Sequence, residues 1–216
     1  MDISLRARIR KFTQFALGGA DVPLRSTGNE SLATAQVEPA RLEWSRAGYR
    51  FIGGTQIIAN GIAPVAAIPT TTATLALYNS DRAQSLVIER LGFFLGSGTP
   101  AAGATLLAAV SRTVATPVTA HATGYGASSA NGSAVSPRAL WGTAVTIPVG
   151  AAWFQAQSTF QLAAANVGQG ESPIDLEGAI VIPPLCALGL AILSGAGTTP
   201  LYGVSASWSE VLLDLE

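Results

Sequence analysis

From Tyr49 onward, apolar and polar residues alternate in short runs separated by turn signals. In Thr70–Tyr78, Ala73, Leu75 and Leu77 share one face and Thr70, Thr72 and Thr74 the other. That is the period-two pattern of a half-buried strand, and Asn79-Ser80-Asp81 closes it. The clearest alternation is in Ala152–Leu162, where Phe154, Ala156, Phe160 and Leu162 oppose Gln155, Gln157, Thr159 and Gln161. Leu140–Val149 aligns Trp141, Val145, Ile147 and Val149. Arg50–Ala59 is an apolar run interrupted by Gly53-Gly54 and stopped by Asn60-Gly61, a turn dipeptide. Leu106–Val114 fits either element by spacing, and its Thr and Val residues favour a strand.

The chain is organised around Leu176–Leu193. Ala179–Ile182 and Leu185–Leu193 flank Pro183-Pro184. Neither proline donates to a ladder and both would break a helix, so this stretch predicts two buried strands joined at the prolines. A last strand follows in Leu201–Glu216. In it Val204, Ala206 and Trp208 share a face, whereas Val211, Leu213 and Leu215 fall on the opposite one, which predicts either a bulge near Ser209–Glu210 or a strand that passes from the core of one subunit into contact with another. Ser85–Leu95 is apolar on both faces: Val87, Leu91, Phe93 and Leu95 on one, Leu86, Ile88 and Phe94 on the other. A strand of this kind is covered on both sides, which makes Leu86, Ile88 and Phe94 candidates for a protein interface. Thr116–Pro137 reads as a long uncharged connection. About eight strands with little helix predict an all-β chain, a two-sheet antiparallel jelly-roll sandwich over residues 46–216.

Residues 1–45 differ. Ile3, Leu5, Ala7 and Ile9 alternate with Ser4, Arg6, Arg8 and Arg10, but Leu5, Ile9, Phe12 and Ala16 also form a helical stripe. Gly18-Gly19, Pro23, Gly28-Asn29 and Pro39 break any long element, so the region reads as an extended arm, with a solvated or disordered tail as the alternative. Charge separates along the same boundary. Residues 1–50 hold eight Arg/Lys against five Asp/Glu, and residues 51–216 four against eight. Charged residues are only 12% of the 216, about half the usual share, which suits a molecule whose surface is covered by partners.

Reactive chemistry is sparse. Cys186 is alone, so no intrachain disulfide is possible, and its apolar surroundings predict a small buried hydrophobe. His121 is the single histidine and lies in the long connection, with no Gly-x-Ser-x-Gly elbow to serve. Asp175 with Glu177, and Asp81 with Glu89, are the carboxylate pairs on which glycoside hydrolysis would depend. They read more simply as a solvated turn and as ion-pair partners. Gly96–Gly103 lacks the Gly-Lys-Ser/Thr ending of a phosphate loop and reads as a hairpin turn. A secretory signal is not expected, because the basic start is followed by only a short, broken apolar segment, and no unbroken apolar run of about 18 residues occurs. No enzyme activity, metal, cofactor or membrane association is expected. The basic run Arg6, Arg8, Arg10 and Lys11 suits a neighbouring protein first and a solvated arm second, with nucleic acid last, because four charges make a weak footprint without a stacking platform. Trp141, Trp153 and Tyr125, if exposed in one groove, would instead suit a carbohydrate-binding or adhesin-type module.

Residues Ile174-Asp-Leu-Glu to Ser207-Trp-Ser-Glu-Val-Leu-Leu, with Ile182-Pro-Pro-Leu, a small-residue strand and a Gly/Ser/Thr turn, resemble the closing strands of jelly-roll virion proteins of tailed bacteriophages. Leu77-Tyr78-Asn79-Ser80 and Leu86-Val-Ile-Glu-Arg-Leu91 are similar in style, and the likeness spans about half the chain. It implies a non-enzymatic capsid decoration or cement protein, or another head or tail component. Such a protein would be located in the virion, form a homotrimer and bind a major capsid protein. The basic arm departs from that pattern.

Overall fold

A long hairpin of strands, rolled into two facing sheets, forms the C-terminal part of the protein. The structure, a computed structural model, describes residues 25–26, 32–33, 40–98, 103–111, 115–147, 152–159, 174–194 and 200–212. The chain divides into two units, Met1–Ala40 and Arg41–Glu216. In the first, β1 (Arg25–Ser26) pairs antiparallel with β2 (Leu32–Ala33). Arg6, Arg8, Arg10 and Lys11 lie outside the described residues. A short helix, α1 (Ala40–Arg46), stands where an extended arm was expected. Leu, Glu and Arg favour it, and Gly48, with φ of 76°, ends it as the Gly48 and Tyr49 N–H groups donate back to the carbonyls of Ser45 and Trp44.

Ten strands follow: β3 (Arg50–Thr55), β4 (Thr72–Asn79), β5 (Ser85–Ser97), β6 (Ala104–Val110), β7 (Tyr125–Ser129), β8 (Ala139–Thr146), β9 (Phe154–Thr159), β10 (Ile174–Ile182), β11 (Ala187–Ser194) and β12 (Leu201–Val211). One sheet has the order β10-β5-β12-β3-β7 and the other β8-β4-β11-β6-β9. The pairs β3·β12, β4·β11, β5·β10 and β6·β9 are all antiparallel neighbours. This is the nesting of a hairpin folded on itself, hence the eight-strand jelly roll predicted above. β7 and β8 fall between β6 and β9 and add one strand to each sheet, beside β3 and β4. Within the stretch read as a featureless connection, Tyr-Gly-Ala-Ser-Ser is therefore a strand.

The sheets enclose Leu75, Leu77, Leu106, Leu188, Leu190, Ile192, Val204 and Trp208. Full burial of such an aliphatic side chain contributes about 1.5–3 kcal/mol. Trp208 stacks on Phe51 at 6.2 Å and meets Trp141 edge-on at 6.3 Å, and Tyr125 lies 6.2 Å from Trp141. Ala73, Ala76, Tyr78, Ala115, Val145 and Ala187 form a second, smaller cluster. Gly142 faces Val118 and Val145 in that cluster, whereas Trp141 points between the sheets. Ala144, with φ of 52°, lies between them and shifts the phase, so Trp141 and Val145 do not share the face expected of them. The prolines break the chain as predicted: β10 stops at Ile182, and Cys186 N–H closes a turn on the Pro183 carbonyl at 3.2 Å. Of the two flanking strands, however, only β11 is buried, because β10 lies at the sheet edge with Ile182 its one buried residue. Asn79 Nδ2 donates to the carbonyls of Ile182 and Pro183 and so pins the corner to β4.

Bulges account for the remaining differences. Ser207 pairs with Arg90 but Trp208 with Ile88, so the extra residue is Glu89 on β5, and Ser209–Val211 continue opposite Val87–Ser85 without a break. The bulge is thus on β5, and β12 has none near Ser209–Glu210. In β9, Ala156 is the extra residue opposite Leu106–Leu107. Gln157 consequently turns inward, its Oε1 accepting the Phe93 N–H, while Phe154 is exposed. In β10, residues 176–179 are the irregular stretch opposite Glu89, with Glu177 and Gly178 in the left-handed region.

Candidate functional site

The β5 bulge decides where the predicted interface residues lie. A strand of strict alternation would place Leu86 and Ile88 opposite Leu91, Phe93 and Leu95. One extra residue at Glu89 brings both sets to the inner face, and Leu86, Ile88 and Leu91 are fully buried in the core. The doubly apolar pattern is therefore one core face continued through a phase change, and Leu86 and Ile88 are not interface residues of the folded chain. Phe94, at 46% exposure, stays on the outer face.

That outer face carries a groove across the strands. Phe51, Val204, Ala206 and Trp208 point into the core, so their neighbours Ile52, Gly54, Ser205 and Ser207 point out. Register places Gly92, Ser205, Gly54 and Gly126 in one row over β5, β12, β3 and β7. With nothing larger than a hydroxymethyl group, the row forms a trough. Arg90, Ser207, Ile52 and Ser128 form the row along one side. On the other, the Phe94 ring lies across Gly203, where a Cβ would meet its Cζ at 2.2 Å, and the Gln56 amide lies over Gly126. A side chain at Gly54 would meet the Val204 carbonyl at 2.0 Å, so the floor requires glycine there. The groove holds about 480 Å³.

Its charged end is built around the bulge. Glu89, 1% exposed, lies with Oε2 2.7 Å from Arg50 Nε, off the N–H axis, and its Oε1 accepts the Ser209 hydroxyl at 2.6 Å. Arg90 is half exposed and reaches Asp175 at a loose 3.4 Å, which leaves most of its five N–H donors free for a ligand. Ser207 is 6% exposed, and its Oγ has no hydrogen-bond partner among the described residues.

Glu210, Asp81, His121 and Cys186 serve structure. Glu210 Oε1 accepts N–H groups from Arg138 at 2.9 Å, Ala139 at 3.0 Å and the Trp208 indole at 3.2 Å, tying β12 to the start of β8 in the facing sheet. Burial pushes its carboxyl pKa up despite those donors. Asp81 pairs with Arg138 at 3.0 Å and accepts the N–H groups of Ala83 and Gln84. Burial alone would raise its pKa, but these donors and Arg138 outweigh it and hold the carboxyl below its usual value. His121 accepts the Trp141 N–H on Nδ1, and burial lowers its pKa. Cys186 is buried at the edge of the core, which raises its thiol pKa. Among the described residues no three His, Cys, Asp or Glu gather as a metal site, and no helix is long and apolar enough to cross a membrane.

Trp141 and Tyr125 are buried, and Trp153 packs half-buried against the smaller cluster, so the aromatic platform on which the carbohydrate reading rested does not exist. Phe94 is the aromatic that faces the groove. Gly54, Gly92, Gly126, Ser205 and Ser207 carry no sequence signal of a site, because only strand register brings them together. Comparison with protein families, curated proteins and solved structures finds no match.

Proposed function

We propose that the chain is a structural virion protein of the capsid decoration or cement type, which acts by binding its neighbours. It assembles as a homotrimer and attaches to a capsid protein through the arm that carries Arg6, Arg8, Arg10 and Lys11. The observation that supports this reading best is the use made of the buried ionisable groups. Glu89, Asp81, Glu210 and His121 each hold one strand or turn to another, and none faces a cleft as a poised acid or base. The jelly-roll architecture and the low charge agree with it, and so does the concentration of positive charge in the arm.

Mass spectrometry of purified particles from the genome that encodes the chain tests the reading. The protein should be present in stoichiometric amounts, and its absence from intact particles would overturn the proposal. Sedimentation equilibrium should give about three times the 22.0 kDa chain mass, and deletion of residues 1–20 should abolish particle binding. Unchanged binding would exclude the arm as the attachment.

A further inference from the structure

We infer that the groove on the outer face of β10-β5-β12-β3-β7 is a binding site for a short acidic saccharide. A site in the middle of a sheet offers an unusual set of partners. The backbone N–H and C=O groups of its floor are held in the ladders, so a ligand lying on it meets side chains alone. An extended peptide, which binds mainly through its own backbone, would be served by a sheet edge and not by this surface. A sugar carries its polar groups around a flat ring, and the groove is arranged for that. Ser205 and Ser207 stand at the floor and rim and Gln56 at the far end, with Ser128 and Ile52 along one side.

Two features sharpen the assignment. Ser207 Oγ is buried in the groove lining without a hydrogen-bond partner among the described residues, an arrangement that is unfavourable unless something completes it. A ligand hydroxyl would do so. The Phe94 ring presents an exposed surface whose negative π face suits the C–H bonds of a pyranose. Charge then selects among sugars. Glu89 is occupied by Arg50 and Ser209, whereas Arg90 lines the groove and, among the described residues, is engaged only loosely by Asp175. Its guanidinium matches a carboxylate in two-point geometry, as on a uronic acid. The volume of about 480 Å³ lies in the range of small-ligand pockets.

Isothermal titration of the full chain with trigalacturonate tests this, with the fully methyl-esterified trisaccharide as the neutral control. Trigalacturonate should bind, and the ester about tenfold or more weaker. Arg90→Ala should lower affinity for the acid by about tenfold and leave the weak ester binding unchanged, the mark of a carboxylate contact. Phe94→Ala should weaken both. Ser207→Ala should weaken both as well, without loss of thermal stability. Because Phe94 and Arg90 are exposed, their variants should fold, which circular dichroism checks. Three results would overturn the inference: no heat at millimolar trigalacturonate, equal binding of acid and ester, or affinity indifferent to Phe94 and Arg90. Tighter binding of a triglutamate peptide than of the trisaccharide would also overturn it.

Discussion

Glu210 occupies a position where the alternation of β12 calls for an apolar side chain. It follows Trp208 on the core face, and its carboxylate gathers three N–H groups on a single oxygen. Desolvation still dominates, so its folded-state pKa exceeds its ordinary value of 4.5. For an acid shifted upward, the contribution to stability is complete below the unfolded pKa and is lost as pH rises through the folded one. His121, shifted down from 6.5, acts oppositely: its contribution is present above 6.5 and is lost as pH falls through its folded pKa. The two can cancel in the wild type, so the difference between wild type and Glu210→Gln isolates the glutamate. Urea unfolding from pH 4 to 8 should show wild-type stability falling relative to Glu210→Gln as pH rises above 4.5. Trp208 is a simpler case, fully buried between Phe51 and Trp141. Trp208→Ala should cost about 3–5 kcal/mol by the same measurement.

Among the elements, β5 shows how much of the architecture can be read from sequence and where reading stops. β12 is legible as far as Trp208 because Val204, Ala206 and Trp208 keep one period, and the turn at Pro183-Pro184 because proline chemistry is local. In β4, Leu75 and Leu77 share the core face as expected, but Ala73, placed with them by strict alternation, falls in the smaller cluster with Val145. The face of Leu86 and Ile88 is not legible, since a doubly apolar strand and a singly apolar strand with a bulge have the same sequence pattern. What separates them is the burial of Glu89 against Arg50, a partner far away in the chain. β7 escapes notice because Gly, Ala and Ser give no alternation, and its strand character comes from pairing with β3. The groove is hidden for a related reason: its floor draws single residues from four strands. The Arg50–Glu89 pair carries a prediction of its own. Glu89 is almost wholly buried and Arg50 largely so, so Arg50→Met should cost about 3–5 kcal/mol by stranding the carboxylate. Arg50→Met with Glu89→Gln should recover part of it, as a double-mutant cycle would measure.

For the molecule as a whole, the rolled hairpin makes nearly every ladder in the body non-local. β3 pairs with β12 and β4 with β11, so the first strands formed must wait for the last. Such topologies fold on a timescale of about milliseconds to seconds, and stopped-flow refolding should fall in or beyond that range. The same pairing has a practical consequence. Arg50 lies opposite Ser209, and Glu210 N–H donates to the Tyr49 carbonyl at 2.8 Å, so the polypeptide enters and leaves the sandwich at a single seam. A short linker across that seam, with new ends opened in the turn around Gly132, would give a circular permutant with all ten strands intact. By the same logic the whole sandwich could be spliced into a loop of an unrelated host, carried there like a bead on a closed clasp.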